Sequence, residues 1–265
     1  MITLGLIGVG KWGQNYLKLE KELDVKILTA GRDEWQSLIK SKVCDGIIIA
    51  TPPDSHIDIA IECLKHNIPI MIEKPLSLTL EESLKLKKYQ NNTSILVNYI
   101  HLFAPAFQYM LNKINLNEIK SITSNGSNSG PYRNYSALLD YGPHDIAMSL
   151  FLTKQNPEIE LTSSENNFIF NLKYKHFTHN ICVGNRSKNK NRFFQVETID
   201  NKFIYDDTSE HKLTCDGVPI FIENQNYLFN SINCFLRSIN GKKDNRLGLD
   251  LSFKVMEILE KLINH

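Results

Sequence analysis

"GLIGVGKWGQNYLK", residues 5–18, decides how the rest of the chain is read. Three glycines, Gly8, Gly10 and Gly13, follow an apolar run at 2–8 and precede a stretch with helical periodicity at 11–22. Between a strand and a helix, a G-x-G-x-x-G loop has a mechanism. The first glycine permits a tight turn and the second lets a pyrophosphate approach the backbone. The third lets helix and strand pack closely, with the diphosphate at the helix N-terminus. The spacing points to a dinucleotide cradle, against the plainer reading of a bare structural turn.

Outward from the loop the pattern repeats. Further strands are expected at 25–30 (VKILTA), 46–51 (GIIIAT), 68–72 (IPIMI) and 94–99 (SILVNY), with helices at 34–41, 55–66 and 80–90. Near-continuous apolar strands separated by helices imply a parallel sheet covered on both faces. Thr79, with Glu82 three residues on, reads as a capping box for the helix at 80–90. Only 14 residues, 31–44, lie between the second strand and Asp45, where the next apolar run begins. That interval holds one short helix and no strand. The expectation is an α/β, Rossmann-type doubly wound parallel sheet, shortened by one strand on the side that would wall an adenosine, with weaker cofactor affinity as the consequence.

The second strand ends Thr29-Ala30-Gly31-Arg32-Asp33. An acid here would hold the ribose of NAD, whereas an arginine accepts the 2′-phosphate of NADP. Arg32 therefore leans the reading toward NADP, while Asp33, 20 residues past Gly13, remains able to reach a ribose hydroxyl. A solvated arginine and a helix-capping aspartate are the plainer alternatives.

Past residue 98 the pattern changes. Residues 138–152 (LLDYGPHDIAMSLFL) read as helical in their second half, with Gly142-Pro143 marking an irregular start. Residues 166–206 read as strands, NNFIFNLKY, HNICVG, RFFQVETI and KFIYD. The basic segment NRSKNKNR, 185–192, is expected to be a solvated hairpin loop between two of them. Amphipathic helices at 224–239 and 249–264 close the chain. The division is a dinucleotide-binding domain at 1–97 and an α+β domain with a mainly antiparallel sheet at 98–265. Phe168, Phe170, Phe193 and Phe194 put apolar groups on more than one face of that sheet, which predicts a homodimer or higher homo-oligomer. His176 and His179 would point to opposite faces of a strand, so no metal site is expected there.

Composition bounds the partners. Hydrophobic residues make up 42% and charged residues 22%, ordinary for a globular protein, and a net charge of +1 argues against a nucleic-acid binder. Five cysteines, with no C-x-x-C pair, read as reduced thiols of a cytoplasmic protein. The N-terminus reads as a strand, without the pattern of a signal peptide, and no apolar run is long enough to span a membrane.

Five segments, in order, carry a resemblance: "GVGKWGQN" (8–15), "DGIIIATPPDSH" (45–56), "IEKPLS" (72–77), "VNYIHLFAP" (97–105) and "LDYGPHDI" (139–146). The chain resembles the glucose–fructose oxidoreductase / inositol dehydrogenase (Gfo/Idh/MocA) family. The resemblance implies an NAD(P)-dependent dehydrogenase or reductase acting on a sugar or nucleotide-sugar hydroxyl. Trp12 and Asn15 in the loop look most like members that act on nucleotide sugars for surface polysaccharides. It implies catalysis by Lys74, Asp140 and His144. It also implies cofactor contacts from Gly8, Gly10, Lys11, Trp12, Gly13, Arg32, Thr51, Pro52, His56, Glu73 and Lys74, and substrate contacts from Tyr99, His101, Tyr132 and Arg133. A cis Lys74-Pro75 bond is implied as well. Where relatives often carry Arg-Phe, this chain has Leu102-Phe103, which weakens the case for a substrate anion held there.

The chemistry of these residue types agrees. Histidine titrates near neutrality, so His144 suits a base for a hydroxyl proton. A lysine cation stabilises developing alkoxide charge, and Asp140, four residues before His144, shares its helical face. The competing reading is a non-catalytic member that keeps the fold to bind a ligand or partner. The shortened adenosine side favours it, and the three intact groups oppose it.

Overall fold

The computed structural model describes residues 1–90, 93–163, 167–223 and 226–264. Residue 166 of the expected strands, residues 224–225 of an expected helix and residue 265 of the second expected domain lie outside the described residues. The chain divides into two units, Met1–Ile100 with Leu228–Met256, and His101–Tyr227 with Glu257–His265.

The first unit contains β1 (Ile2–Ile7), α1 (Gly13–Leu17), β2 (Val25–Ala30), α2 (Trp35–Ser41), β3 (Gly46–Ile49), α3 (His56–Lys65), β4 (Ile70–Glu73), α4 (Leu80–Leu84) and β5 (Ile95–Asn98). Its five strands run parallel in the order β2-β1-β3-β4-β5. Every residue of β3, β4 and β5 is buried, which is why these runs read as continuous rather than alternating. β2 is an edge strand, and the interval after it goes into α2, so the sheet is short by the expected strand. Thr79 caps α4, its hydroxyl accepting from the Glu82 N–H at 3.2 Å. The helix expected to 90 ends sooner, giving way to a 3₁₀ turn at Lys87–Tyr89.

The second unit contains α5 (Pro105–Lys113), β6 (Ile119–Ser129), α6 (Ala137–Thr153), β7 (Glu158–Ser163), β8 (Phe168–Lys173), β9 (Thr178–Gly184), β10 (Arg186–Thr198), β11 (Lys202–Asp206), β12 (Leu213–Cys215) and β13 (Val218–Pro219). Its eight-stranded sheet has the order β13-β12-β11-β10-β6-β9-β8-β7 and is antiparallel except where β6 meets β9. α6 packs against β6 and β9, over an inner face of Ile122, Ile181, Val183, Phe170, Leu172, Phe194 and Val196. The outer face is mixed, with exposed Ile169 and half-buried Phe193 and Cys182 among Thr123, Asn125 and Asn171.

Two expectations are corrected here. Residues 186–192 are not a hairpin loop, because β6 lies between β9 and β10 and pairs with both. The basic segment is instead the start of β10, with a bulge between Arg186 and Asn191 opposite the end of β6. Helix α6 also starts before Gly142-Pro143 and runs through them. Ser136 supplies the cap, accepting from the Leu138 N–H at 3.2 Å. Gly142 is a packing position, since a Cβ there would come 3.1 Å from Leu138 and 3.3 Å from Leu259.

α7 (Tyr227–Ile239) and α8 (Asp250–Ile263) follow. The sequence reading put everything after residue 97 into one second domain, whereas Leu228–Met256 packs with the first unit. Gly46 shows why: Phe235 and Ile239 of α7 occupy the space where its side chain would stand, with Ile239 Cδ1 2.7 Å from an added Cβ.

His179, on β9, is fully buried, with Nε2 2.9 Å from the Ser124 hydroxyl and its ring edge-on to Phe194 at 5.1 Å. Burial pushes its imidazole down to about 3, so it folds neutral. An unfolded histidine titrates near 6.5, so the unfolded chain takes up the proton first. The stability that a neutral His179 permits is complete above about pH 6.5 and is lost as pH falls toward about 3. His179→Asn, which cannot titrate, is expected to flatten this acid limb in urea unfolding measured from pH 7 to pH 4. An unchanged slope would reject the assignment.

Candidate active site

The glycine loop lies in the first unit. Gly8 has φ +99°, and a Cβ there would sit 2.6 Å from the Ala50 backbone. A Cβ at Gly13 would lie 2.1 Å from the Gly8 carbonyl oxygen, so only glycine lets the start of α1 press on the turn. Gly10 is the opposite case, with nothing within 4 Å of an added Cβ. One glycine makes the turn, one makes the packing, and the middle one leaves a bare approach to the backbone. That is the shape a pyrophosphate requires, and the loop fits the dinucleotide the spacing implied.

Lys11 and Trp12 are exposed on this loop. The Trp12 indole N–H donates to Glu73 Oε1 at 2.5 Å. The Tyr16 hydroxyl donates to the same oxygen, and the Asn98 amide reaches it at 2.9 Å. Burial, then the Glu73 carboxylate, hold the Tyr16 hydroxyl far above its ordinary range, so it remains a donor. Glu73 is thus a buried anchor that ties the glycine loop and α1 to the ends of β4 and β5. It positions the loop instead of presenting a carboxylate to a ligand.

His56 behaves likewise. It is 1% exposed, with Nδ1 3.0 Å from the Pro75 carbonyl and Nε2 2.8 Å from the Thr51 carbonyl. Burial lowers its pKa against the opposing pull of those carbonyls. The ring links the turn after β3 to the turn after β4 and has no nitrogen left over for a cofactor. Thr51 is half-buried and Pro52 exposed in the first of these turns; Lys74, half-buried, opens the second, where the Lys74-Pro75 peptide is cis. Arg32 and Asp33 are exposed just past β2. Tyr99 is a correction. It is 2% exposed and faces Ser252 of α8, so it is a core residue of the first unit.

The second unit gathers the other candidates around α6. Asp140 and His144 stand one turn apart. Asp140, with little side-chain exposure, pairs with Arg133 Nε at 3.5 Å. His144 is 6% exposed and meets His101 edge-on, with ring centroids 4.8 Å apart at 88°. His101 Nδ1 lies 2.8 Å from the Tyr205 hydroxyl, and its ring packs 5.5 Å from Tyr227. The Tyr227 hydroxyl donates to Asp207 at 3.1 Å. Burial, then the nearby Asp207 charge, raise Tyr205 well above its usual value, so it stays protonated beside His101. Tyr132 is exposed in the loop before α6.

Tyr205, Tyr227, Asp145 and Arg192 were not found by sequence reasoning. Asp145 turns away from His144 into the sheet, where Arg192 Nη1 donates to it at 2.7 Å. The pair fits because Gly126 of β6 has no side chain; a Cβ there would be 2.4 Å from Arg192 Nη1. Burial pushes the Asp145 carboxyl up and the Arg192 charge draws it back. This buried bond pins α6 to β10 at the residue after His144. Only the pairing of β6 with β10 brings these residues together, and no local spacing announces it.

Comparison with known proteins gives the following. Residues 21–101 match a family described as an oxidoreductase family with an NAD-binding Rossmann fold. The rhizopine catabolism protein MocA of Rhizobium meliloti is 24% identical over 185 residues, 58% of this chain and 58% of that protein. A scyllo-inositol 2-dehydrogenase (NAD(+)) of Bacillus subtilis is 30% identical over 95 residues, 34% of this chain and 28% of that protein. The matches therefore span less than two thirds of these curated relatives. A solved structure described as an oxidoreductase from Magnetospirillum magnetotacticum superposes with a TM-score of 0.88, at 23% identity, covering 98% of each chain.

Proposed function

We propose that this chain, whose residues 21–101 match an oxidoreductase family with an NAD-binding Rossmann fold, moves a hydride between a nicotinamide cofactor and the carbinol or keto carbon of a sugar or nucleotide sugar. The observation that carries the reading is His144, a nearly buried imidazole on α6 with Asp140 one turn before it and His101 against its edge. Gly8, Gly10, Gly13, Lys11 and Trp12 would hold the cofactor, with Thr51 and Pro52 beside them. A nicotinamide held there supplies the hydride acceptor in oxidation and the donor in reduction.

The remaining steps belong to side chains. His144 accepts the hydroxyl proton during oxidation and returns it during reduction. Lys74 contributes positive charge toward the alkoxide that develops as the proton leaves. Asp140, held by Arg133, orients the sugar or the imidazole. We assign the outer face of the second sheet, with Ile169 and Phe193, to contact with a second copy, and the reduced cysteines to a cytoplasmic setting.

The test is an absorbance assay of NAD and NADP reduction across sugars, inositols and nucleotide sugars. Failure to turn over any of them with either cofactor would transfer the fold to the binding-only reading, which the bare outer edge of β2 supports.

Cofactor choice rests on Arg32. If its guanidinium receives a 2′-phosphate, NADP should bind more tightly than NAD, and Arg32→Ala should cut that preference about tenfold. Quenching of Trp12 fluorescence reads both affinities. Equal binding of the two cofactors by the parent would reject the role.

A further inference from the structure

The basic segment at the start of β10 is not used by the chemistry above, and it lines a groove of about 480 Å³ with Ser129, Tyr132, Asn185, Arg186, Ser187 and Lys188. We propose that this groove binds the nucleoside diphosphate of a nucleotide-linked sugar, an inference that rests on the oxidoreductase reading and narrows its substrate class.

The lining has the chemistry of such a ligand. Arg186 and Lys188 bring two cations, and among the described residues the lining holds no carboxylate. Arginine receives phosphate oxygens through a planar fork, and lysine does so as a point charge. Ser129, Ser187 and Asn185 offer hydroxyl and amide groups for phosphate or ribose oxygens. Tyr132 is 74% exposed and presents an aromatic face on which a base can stack. The volume falls within the range of small-molecule sites, roughly 300–1,000 Å³.

The two lining segments are tied to each other and to Asn167 by hydrogen bonds. The Gly130 N–H donates to the Asn185 carbonyl at 2.9 Å. The Asn167 amide donates to the Ser187 hydroxyl at 2.9 Å, and its carbonyl oxygen accepts from the Arg186 N–H at 3.3 Å. A solvated loop would need none of this.

The groove also connects to the catalytic helix. The Tyr141 hydroxyl donates to the Gly130 carbonyl at 2.8 Å, fixing the groove wall to the residue after Asp140. Tyr132 is followed directly by Arg133, which pairs with Asp140. A nucleotide-linked sugar held by Tyr132, Arg186 and Lys188 would lie beside the loop that carries Arg133.

The experiment titrates UDP, dTDP, GDP and ADP separately into the parent, Arg186→Ala/Lys188→Ala, Tyr132→Ala and His144→Ala, by calorimetry. Saturating NADH and NADPH are present throughout, so that the glycine loop is filled. At least one nucleoside diphosphate should bind the parent saturably. The double variant should weaken it about tenfold or more and Tyr132→Ala about threefold or more, while His144→Ala binds as the parent does. Circular dichroism of the Arg186→Ala/Lys188→Ala and Tyr132→Ala variants should match the parent, since those side chains are exposed. Absence of binding to the parent, or equal binding to the double variant, overturns the groove. These outcomes separate from failure of the oxidoreductase reading. Turnover of free sugars without diphosphate binding leaves that reading standing, and diphosphate binding without turnover of any sugar leaves the groove standing.

Discussion

His144→Ala is expected to lower turnover about 100-fold or more while leaving cofactor affinity within about twofold of the parent. The size follows from what a positioned base contributes to transfer of a hydroxyl proton, and the selectivity follows from where the residue lies. His144 is on α6, in the second unit, while the glycine loop is in the first. Lys74→Ala is the contrasting change. A lost fixed charge should reduce turnover and weaken substrate binding together, because in the proposed role the cation would act on the sugar oxygen before as well as during reaction. Steady-state rates with the best substrate of the panel, together with fluorescence titration of cofactor, separate the two patterns. Near-parent turnover by His144→Ala would remove it from the mechanism.

How much of this was legible in sequence varied by element for physical reasons. The strands β1 to β5 declare themselves because burial on both faces demands unbroken apolar runs such as Ile47-Ile48-Ile49. The glycine loop was equally plain, since each glycine answers a separate steric demand. β6 was missed because its sequence, IKSITSNGSNS, is polar, with Gly126 reserved for the Arg192–Asp145 bond. Missing β6 made the segment after β9 look like a hairpin loop, although its backbone is held by a partner strand 57 or more residues away in sequence. α6 was started too late because Gly142-Pro143 carries the local signature of a break, and tertiary packing on Leu259 overrides it. The candidate site shows the same division. Lys74, Asp140 and His144 sit in short motifs, whereas Tyr205 of β11 and Tyr227 at the start of α7 reach His101 only through the tertiary fold. His56 and Glu73 lie in the motifs too, but their buried hydrogen bonds make them supports of the loops around them.

The glycine loop supplies the second large effect, and two substitutions of equal size should part company there. Gly10→Ala adds a methyl that meets nothing within 4 Å, at a residue whose backbone needs no positive φ. Its thermal midpoint is expected to stay within about 2 °C of the parent. The open approach is what a pyrophosphate would use, so the methyl should stand against the ligand and lower cofactor affinity about tenfold or more. Gly13→Ala places its methyl 2.1 Å from the Gly8 carbonyl oxygen, a backbone atom that cannot swing aside. Strain there must move α1 off the turn and disturb the bonds from Trp12 and Tyr16 to Glu73. A loss of about 2–4 kcal/mol of stability is expected along with cofactor binding. Calorimetric melting and Trp12 quenching on the same samples measure both quantities. Were Gly10→Ala to bind cofactor as the parent does, the open side of the loop would have no ligand to admit, and the three glycines would be a turn and nothing more.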